Sequence, residues 1–283
     1  MYLNYISRYK SALSIARPFK HASIWIVLIC LGFKTAVAQQ QTKDKMYTDH
    51  TVTFSYPDCA YTNDMLDHDF GNGIYPPGRG FAEIKDSTYK ITFKKGQKVS
   101  NTGAAVQLKI PDGMQYTLQY RIKYDAAFQP GLHGKQFGFD IGVGYDGGRG
   151  VMARNNGDGG SVRLQFDAHG PKIANQLYVY YCGMSGDYGN NPGGQSFSMD
   201  RGVWNTIKLT LTMQSTEQMN DGRIEVWCNG EKKIDVGNIR FVRKESGRKI
   251  TRLALESFPG GGGAIPLYDN YVYLDDIQWS KTK

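Results

Sequence analysis

The chain has 283 residues, 40% of them hydrophobic and 13% aromatic, with 34 Lys and Arg against 26 Asp and Glu and a formal charge of +8. Much of the basic excess lies in residues 1–38, which carry Arg8, Lys10, Arg17, Lys20 and Lys34 and no acid, so the 245 residues that follow hold only +3. That balance removes the electrostatic case for a nucleic-acid partner, and the length suits one large domain.

Residues 1–38 read as a secretory signal peptide: a basic start, an apolar run from Ile24 to Leu31, and the small-x-small signal Ala36-Val37-Ala38 ahead of Gln39. The run falls short of the roughly 18–20 apolar residues that spanning a bilayer requires. The expectation is a chain exported to the periplasm or beyond, with residues 39–283 forming a single domain, monomeric and free of the membrane once the signal is removed. Beyond it lie Cys59, Cys182 and Cys228. They allow one disulfide and one spare thiol, of a pairing the sequence leaves open, and their spacing fits no zinc motif.

Further along, period-two alternation recurs between Gly, Asn, Asp and Pro clusters: Tyr89 to Phe93, Ala104 to Ile110, Tyr116 to Tyr124, Gln136 to Val143, Ser161 to Asp167, Gln176 to Cys182, Thr206 to Met213, Arg223 to Cys228, Ile250 to Ser257 and Tyr271 to Trp279. No sustained helical period appears after the first segment. Many short strands with turn signals between them predict an all-β chain, a jelly-roll sandwich of two antiparallel sheets whose concave face is a cleft. Gly147 to Gly150, Asn155 to Gly160, Gly183 to Gly194 and Pro259 to Gly263 are expected loops. Asn229-Gly230 is expected to close a tight hairpin.

The tracts Ser161-Val162-Arg163-Leu164-Gln165-Phe166-Asp167 and Gln176-Leu177-Tyr178-Val179-Tyr180 carry the functional signal. Alternation sends Val162, Leu164, Phe166, Leu177 and Val179 to the core and leaves Ser161, Arg163, Gln165, Gln176, Tyr178 and Tyr180 on the open face. Two phenols beside a guanidinium suit an acidic sugar. β-Elimination of a uronate requires neutralising the C6 carboxylate, removing the C5 proton and protonating the departing O4. A phenol can move both protons, and a neighbouring cation favours its ionised form.

The segment His133-Gly134-Lys135-Gln136-Phe137-Gly138 adds a lysine ahead of these strands. Gly134-Lys135 with Gly138, Ser161-x-Arg163, Leu177-Tyr178-Val179-Tyr180 and the trailing Val226-Trp227-Cys228-Asn229-Gly230, Ser257-Phe258-Pro259-Gly260-Gly261 and Tyr271 to Asp276, in that order, resemble polysaccharide lyase family 14. The resemblance implies a β-jelly-roll lyase acting on alginate or glucuronan without a redox cofactor. It implies that Lys135 and Arg163 neutralise the carboxylate while Tyr178 and Tyr180 handle protons, with Ser161, Gln165, Gln176 and His133 contacting substrate. A second alignment, on Pro130-Gly131-Leu132, would put Phe128 at the lysine position and suggest a binding protein.

Blander readings stand beside these. Tyr116, Tyr120 and Tyr124 alternate in the same way with no catalytic claim. Arg163 could pair across strands with Asp167 or Glu225. His169 sits in a turn, and Tyr145, Tyr188 and Trp204 could stack on sugars or simply pack. The aspartates from Asp140 to Asp146 and Asp269 to Asp276 leave a structural Ca²⁺ open, although neither run follows an EF-hand spacing. A non-catalytic sandwich that binds acidic polysaccharides is the alternative function. A retaining glycosidase needs two carboxylates about 5 Å apart, and the Glu-x-Asp-x-x-Glu strand arrangement expected of that class is absent.

Overall fold

The structure is a computed structural model that describes residues 48–71, 81–97, 102–261 and 265–283. The expected signal peptide lies outside the described residues. Among them, no helix is long and apolar enough to cross a membrane.

In chain order the elements are β1 (Asp49–Val52), β2 (Cys59–Ala60), α1 (Asn63–Phe70), β3 (Ala82–Lys85), β4 (Thr88–Phe93), β5 (Ala104–Gly113), β6 (Gln115–Tyr124), β7 (His133–Gly142), α2 (Gly150–Asn156), β8 (Gly159–His169), β9 (Lys172–Tyr180), β10 (Ser196–Asp200), β11 (Asn205–Thr212), β12 (Gly222–Cys228), β13 (Glu231–Ile239), β14 (Ile250–Pro259) and β15 (Asn270–Lys281). They form two antiparallel sheets. The larger runs β13-β12-β11-β6-β15-β4-β3-β2, with β1 added on β15, and the smaller runs β10-β9-β8-β7-β14-β5. This is the jelly-roll sandwich that the alternation implies.

Strand β6 explains how the layers join. Tyr116, Leu118, Tyr120, Ile122 and Tyr124 all point inward and are buried. Their rings meet aromatic partners from the smaller sheet: Tyr116 with Phe139 at 6.2 Å between centroids, Tyr120 with Phe137 at 5.1 Å, and Tyr124 with Phe166 at 5.5 Å. Offset and edge contacts of this kind add to the area that each ring buries. The hairpin β12–β13 turns at Asn229 and Gly230, both with positive φ (52° and 82°), as its sequence demands.

Some expectations require correction. The stretch Gly147 to Gly160, taken as two loops, contains α2, and β8 already starts at Gly159. Strand β9 stops at Tyr180, so Cys182 does not extend the tyrosine face; its thiol donates to the Arg240 carbonyl instead. Cys59, Cys182 and Cys228 are all unpaired thiols. Phe128 is a core residue packed on Phe93, Tyr124 and Phe166, which leaves no cleft position for the second alignment.

Candidate active site

The strands β9, β8, β7, β14 and β5 lie side by side, and register fixes which side chains share a row on their outer face. Tyr178 is opposite Arg163, Arg163 opposite Gly138, Gly138 opposite Ala254 and Ala254 opposite Gln107. One row toward the far end run Tyr180, Ser161, Asp140 and Arg252; one row the other way run Gln176, Gln165 and Lys135. Directly opposed residues have Cβ atoms roughly 4.5–5.5 Å apart. Lys135, Arg163, Tyr178, Tyr180, Gln165 and Gln176 therefore come together, with His133 on the same face two residues before Lys135.

Lys135 reaches this face because of a bulge. Between the pairs Lys135–Gln165 and Gly138–Arg163, β7 has one residue more than β8. Gln136 and Phe137 both turn inward, Gln136 donating to the Tyr124 hydroxyl at 3.0 Å and Phe137 packing on Tyr120. Without the extra residue, strict alternation would put Lys135 on the core side with Phe137 and Phe139.

The Lys135 ammonium donates to Gln165 Oε1 at 2.9 Å and lies 3.0 Å from the centre of the Tyr178 ring. It is 8% exposed. Burial, and then the Arg163 charge, push its amine down to about 7, because both penalise the charged form. Gln165 spends its oxygen on Lys135, and Gln176 accepts from Asn191 Nδ2 at 3.2 Å. The amide NH₂ groups of both glutamines remain as available donors.

Arg163 is buried and paired with Glu256 of β14; Asp167 and Glu225, the partners open to it in sequence, are not used. To get there its guanidinium crosses β7 at Gly138, where a Cβ would lie 1.9 Å from the Val162 carbonyl oxygen and 2.7 Å from Arg163 Cα. Gln107 Nε2 supports Glu256 at 3.1 Å. The surrounding carboxylates raise the guanidinium above its ordinary range against the opposing effect of burial, so this cation is permanent.

The tyrosines differ. Their hydroxyls are 3.5 Å apart and their rings 5.6 Å, edge to face. Tyr178 is half-buried, whereas Tyr180 has no exposed surface and packs with Tyr145, Ala153 and Met184. The Tyr180 hydroxyl accepts from the Gly148 amide at 3.0 Å. Tyr178 is raised above the ordinary phenol range, first by burial and then by its hydrogen bond to Tyr180; Arg163 opposes this but does not prevail. The expectation that a neighbouring cation would favour the phenolate is thus reversed: desolvation wins and the phenol keeps its proton.

Ser161 also differs from expectation. It is fully buried and donates to the Tyr145 carbonyl at 2.7 Å, so it anchors the loop after β7. That loop, which leads into α2, covers Tyr180 and closes that end of the face. Tyr145 is buried there, and Tyr188 is 69% exposed on the loop after β9. Trp204 lies against Arg121 and Lys123 on the larger sheet, away from the site. His169 pairs with Asp167 at 2.9 Å in the β8–β9 turn. Among the described residues no group of three or more His, Cys, Asp or Glu could hold a metal ion. Of the aspartates weighed for Ca²⁺, Asp269 pairs with Lys94, Asp276 with Arg121 and Asp146 with Arg149.

Sequence reasoning missed Glu256 and Gln107, and weighed Asp140 only as a Ca²⁺ ligand. Glu256 stands beside the Ser257-Phe258-Pro259 motif but 93 residues from Arg163, and no local pattern signals a pair across two strands.

Residues 82–273, two thirds of the chain, match the family model Polysaccharide lyase 14. The chain belongs to that family. This polysaccharide lyase is similar in structure to alginate lyase Aly36B, with a TM-score of 0.75 and 25% identity over 84% of this chain and 99% of that one. A lysine and tyrosine double-alanine variant of Aly36B, in complex with alginate tetrasaccharide, gives a TM-score of 0.76 at 24% identity over 84% and 99%. Alginate lyase vAL-1 from Chlorella virus shares the fold, with a TM-score of 0.55 and 20% identity over 71% of this chain and 88% of that one. No curated protein sequence matches the chain. Membership of a lyase family replaces the non-catalytic binding module as the reading of this sandwich.

Proposed function

We propose that this lyase cleaves a β-linked polyuronate of the alginate or glucuronan type by β-elimination in the cleft over Lys135, Arg163 and Tyr178. The observation that carries the reading is the Lys135 amine, lowered to about 7, held 3.0 Å from the Tyr178 ring beside a permanent guanidinium. The Aly36B complex with alginate supports the substrate class.

The chemistry divides by protonation state. At neutral pH a large share of Lys135 is neutral amine, able to take the C5 proton, whereas an ordinary lysine is almost wholly charged. The electron pair released forms the C4–C5 double bond and breaks the bond from C4 to O4. Tyr178, kept protonated by burial, donates to the departing oxygen. The C6 carboxylate is received by the free amide groups of Gln165 and Gln176 and by the field of Arg163, which stabilise the charge that develops there. Tyr180 acts through Tyr178, holding its hydroxyl from behind, and His133 borders the cleft entrance. No metal or redox step is required by this scheme.

The test is incubation of residues 39–283 with polymannuronate, polyguluronate and glucuronan, following the ultraviolet absorbance of the unsaturated product. Absence of product from all three would refute the reading. The same assay on culture fractions of the full-length chain tests the proposal that it is exported by residues 1–38.

A further inference from the structure

Beyond Arg163 the cleft floor continues into a pocket of about 160 Å³ lined by Gln107, Asp140, Asp146, Arg149 and Arg252, with Val143 and Gly144. Gln107 meets the machinery above through Glu256, and Asp140 and Asp146 act on it through their charge at Arg163; Arg149 and Arg252 have no part in it. Asp140 is the notable member. Its side chain is 3% exposed, it makes no hydrogen bond to any described residue, and Arg252 Nη1 stands 3.7 Å from it. Its carboxyl lines the pocket, so its hydrogen-bonding capacity is available to whatever enters there.

The loop after β7 is shaped around this pair. Gly144 has φ of 76°, and a Cβ there would meet Arg252 Nη1 at 3.0 Å and Asp140 Oδ2 at 3.1 Å. A side chain at this position would fill the pocket and strain the backbone. Arg252 Nη1 also donates to the Val143 carbonyl at 3.2 Å, and Arg149 is paired with Asp146. The same loop gives the Gly148 amide to Tyr180. The pocket and the tyrosine pair thus share one support.

The donor set alternates in type: a carboxyl, a guanidinium, an amide and a second ion pair, with little net charge. Such a set fits vicinal hydroxyls, each of which donates and accepts, better than it fits a carboxylate, which only accepts. Burial and the Glu256 charge push Asp140 up to about 7, so at neutral pH its carboxyl both donates and accepts. The β8 partners of Lys135 and Asp140, Gln165 and Ser161, are four residues apart, which at a rise of ~3.3 Å per residue is about 13 Å, farther than one hexose spans.

We propose that this pocket is a distal sugar subsite, in which Asp140 and Arg252 grip the vicinal hydroxyls of a uronate residue more than one unit away from the bond being cut. The inference rests on the polyuronate reading above and goes beyond it by making affinity depend on chain length. It is tested with Arg252→Met, which keeps the apolar stem of a partly exposed residue, and with the near-isosteric Asp140→Asn, each checked for an intact thermal transition. Initial rates are measured on a trisaccharide and on long polymer. The expected result for both variants is that the ratio of KM, variant over wild type, grows about tenfold from trisaccharide to polymer, while kcat on polymer holds in Arg252→Met. A ratio independent of chain length in both variants would overturn the subsite. Wild-type enzyme that cleaves no polyuronate would instead refute the function on which it rests.

Discussion

The protonation state of Lys135 offers the sharpest prediction. Its amine falls from 10.5 to about 7, driven by burial and then by Arg163. An unperturbed lysine at pH 7 is neutral in fewer than about one molecule in a thousand, whereas one at about 7 is neutral in about half. The folded site therefore raises the concentration of usable base by about 10³. If Lys135 takes the C5 proton, kcat/KM climbs with pH through about 7 and levels off, with rates at pH 6 about tenfold below those at pH 8. The assay is product absorbance at low substrate across that range, with the alkaline side free of a second fall until Tyr178 begins to ionise. Lys135→Ala removes the ascending limb together with most of the activity. A rate that falls as pH rises through 7 would refute the argument, because it would mean that the charged ammonium is the working form.

Other consequences can be measured. Tyr178→Phe should lower kcat by about 10²–10⁴, the range for general acid catalysis, with KM little changed. Tyr180→Phe leaves the Gly148 amide unpaired and frees the Tyr178 hydroxyl; a fall in kcat accompanied by an altered alkaline limb identifies it as a positioning residue, and full activity with an unchanged profile would exclude that role. Glu256→Ala strands the Arg163 charge in the sheet and should cost about 3–5 kcal/mol, a fall in Tm of roughly 6–20 °C for a domain of this size, visible by calorimetry. Asp140 is raised from 3.8 to about 7 in the folded chain, chiefly by burial and then by Glu256. The native state then binds the extra proton between those values, so its stability is fully present below about 4 and declines as pH rises through about 7. Asp140→Asn should flatten that decline, with a gain of up to about 4 kcal/mol above pH 7, read from urea midpoints against pH.

Much of the architecture was legible in the chain. The pattern Tyr116-x-Leu118-x-Tyr120-x-Ile122-x-Tyr124 states its own inward face, and Asn229-Gly230 states its turn, because both depend on neighbours within a few residues. The alternation in Ser161 to Asp167 and Gln176 to Tyr180 likewise put Arg163, Gln165, Tyr178 and Gln176 on one face without reference to the rest of the molecule. What those residues meet there was not legible. Ser161 was expected at the substrate and is turned to the Tyr145 carbonyl, because the loop after β7 closes over that end of the sheet. Arg163 was open to nearby acids and pairs with Glu256, a residue brought close only by the strand order β8-β7-β14.

Lys135 marks the division between the two kinds of information. By itself the sequence determined that a Gly-Lys pair precedes an Arg strand and a Tyr strand, and that the chain folds as alternating strands, since side-chain period is a local property of extended backbone. Whether Lys135 faces the cleft was decided by the single extra residue in β7, which reverses the parity of the strand between Lys135 and Gly138. Whether its amine is charged was decided by burial and by Arg163, supplied from the neighbouring strand. Register and desolvation arise only when strands are packed together, and they bring the amine of an otherwise ordinary lysine down to about 7.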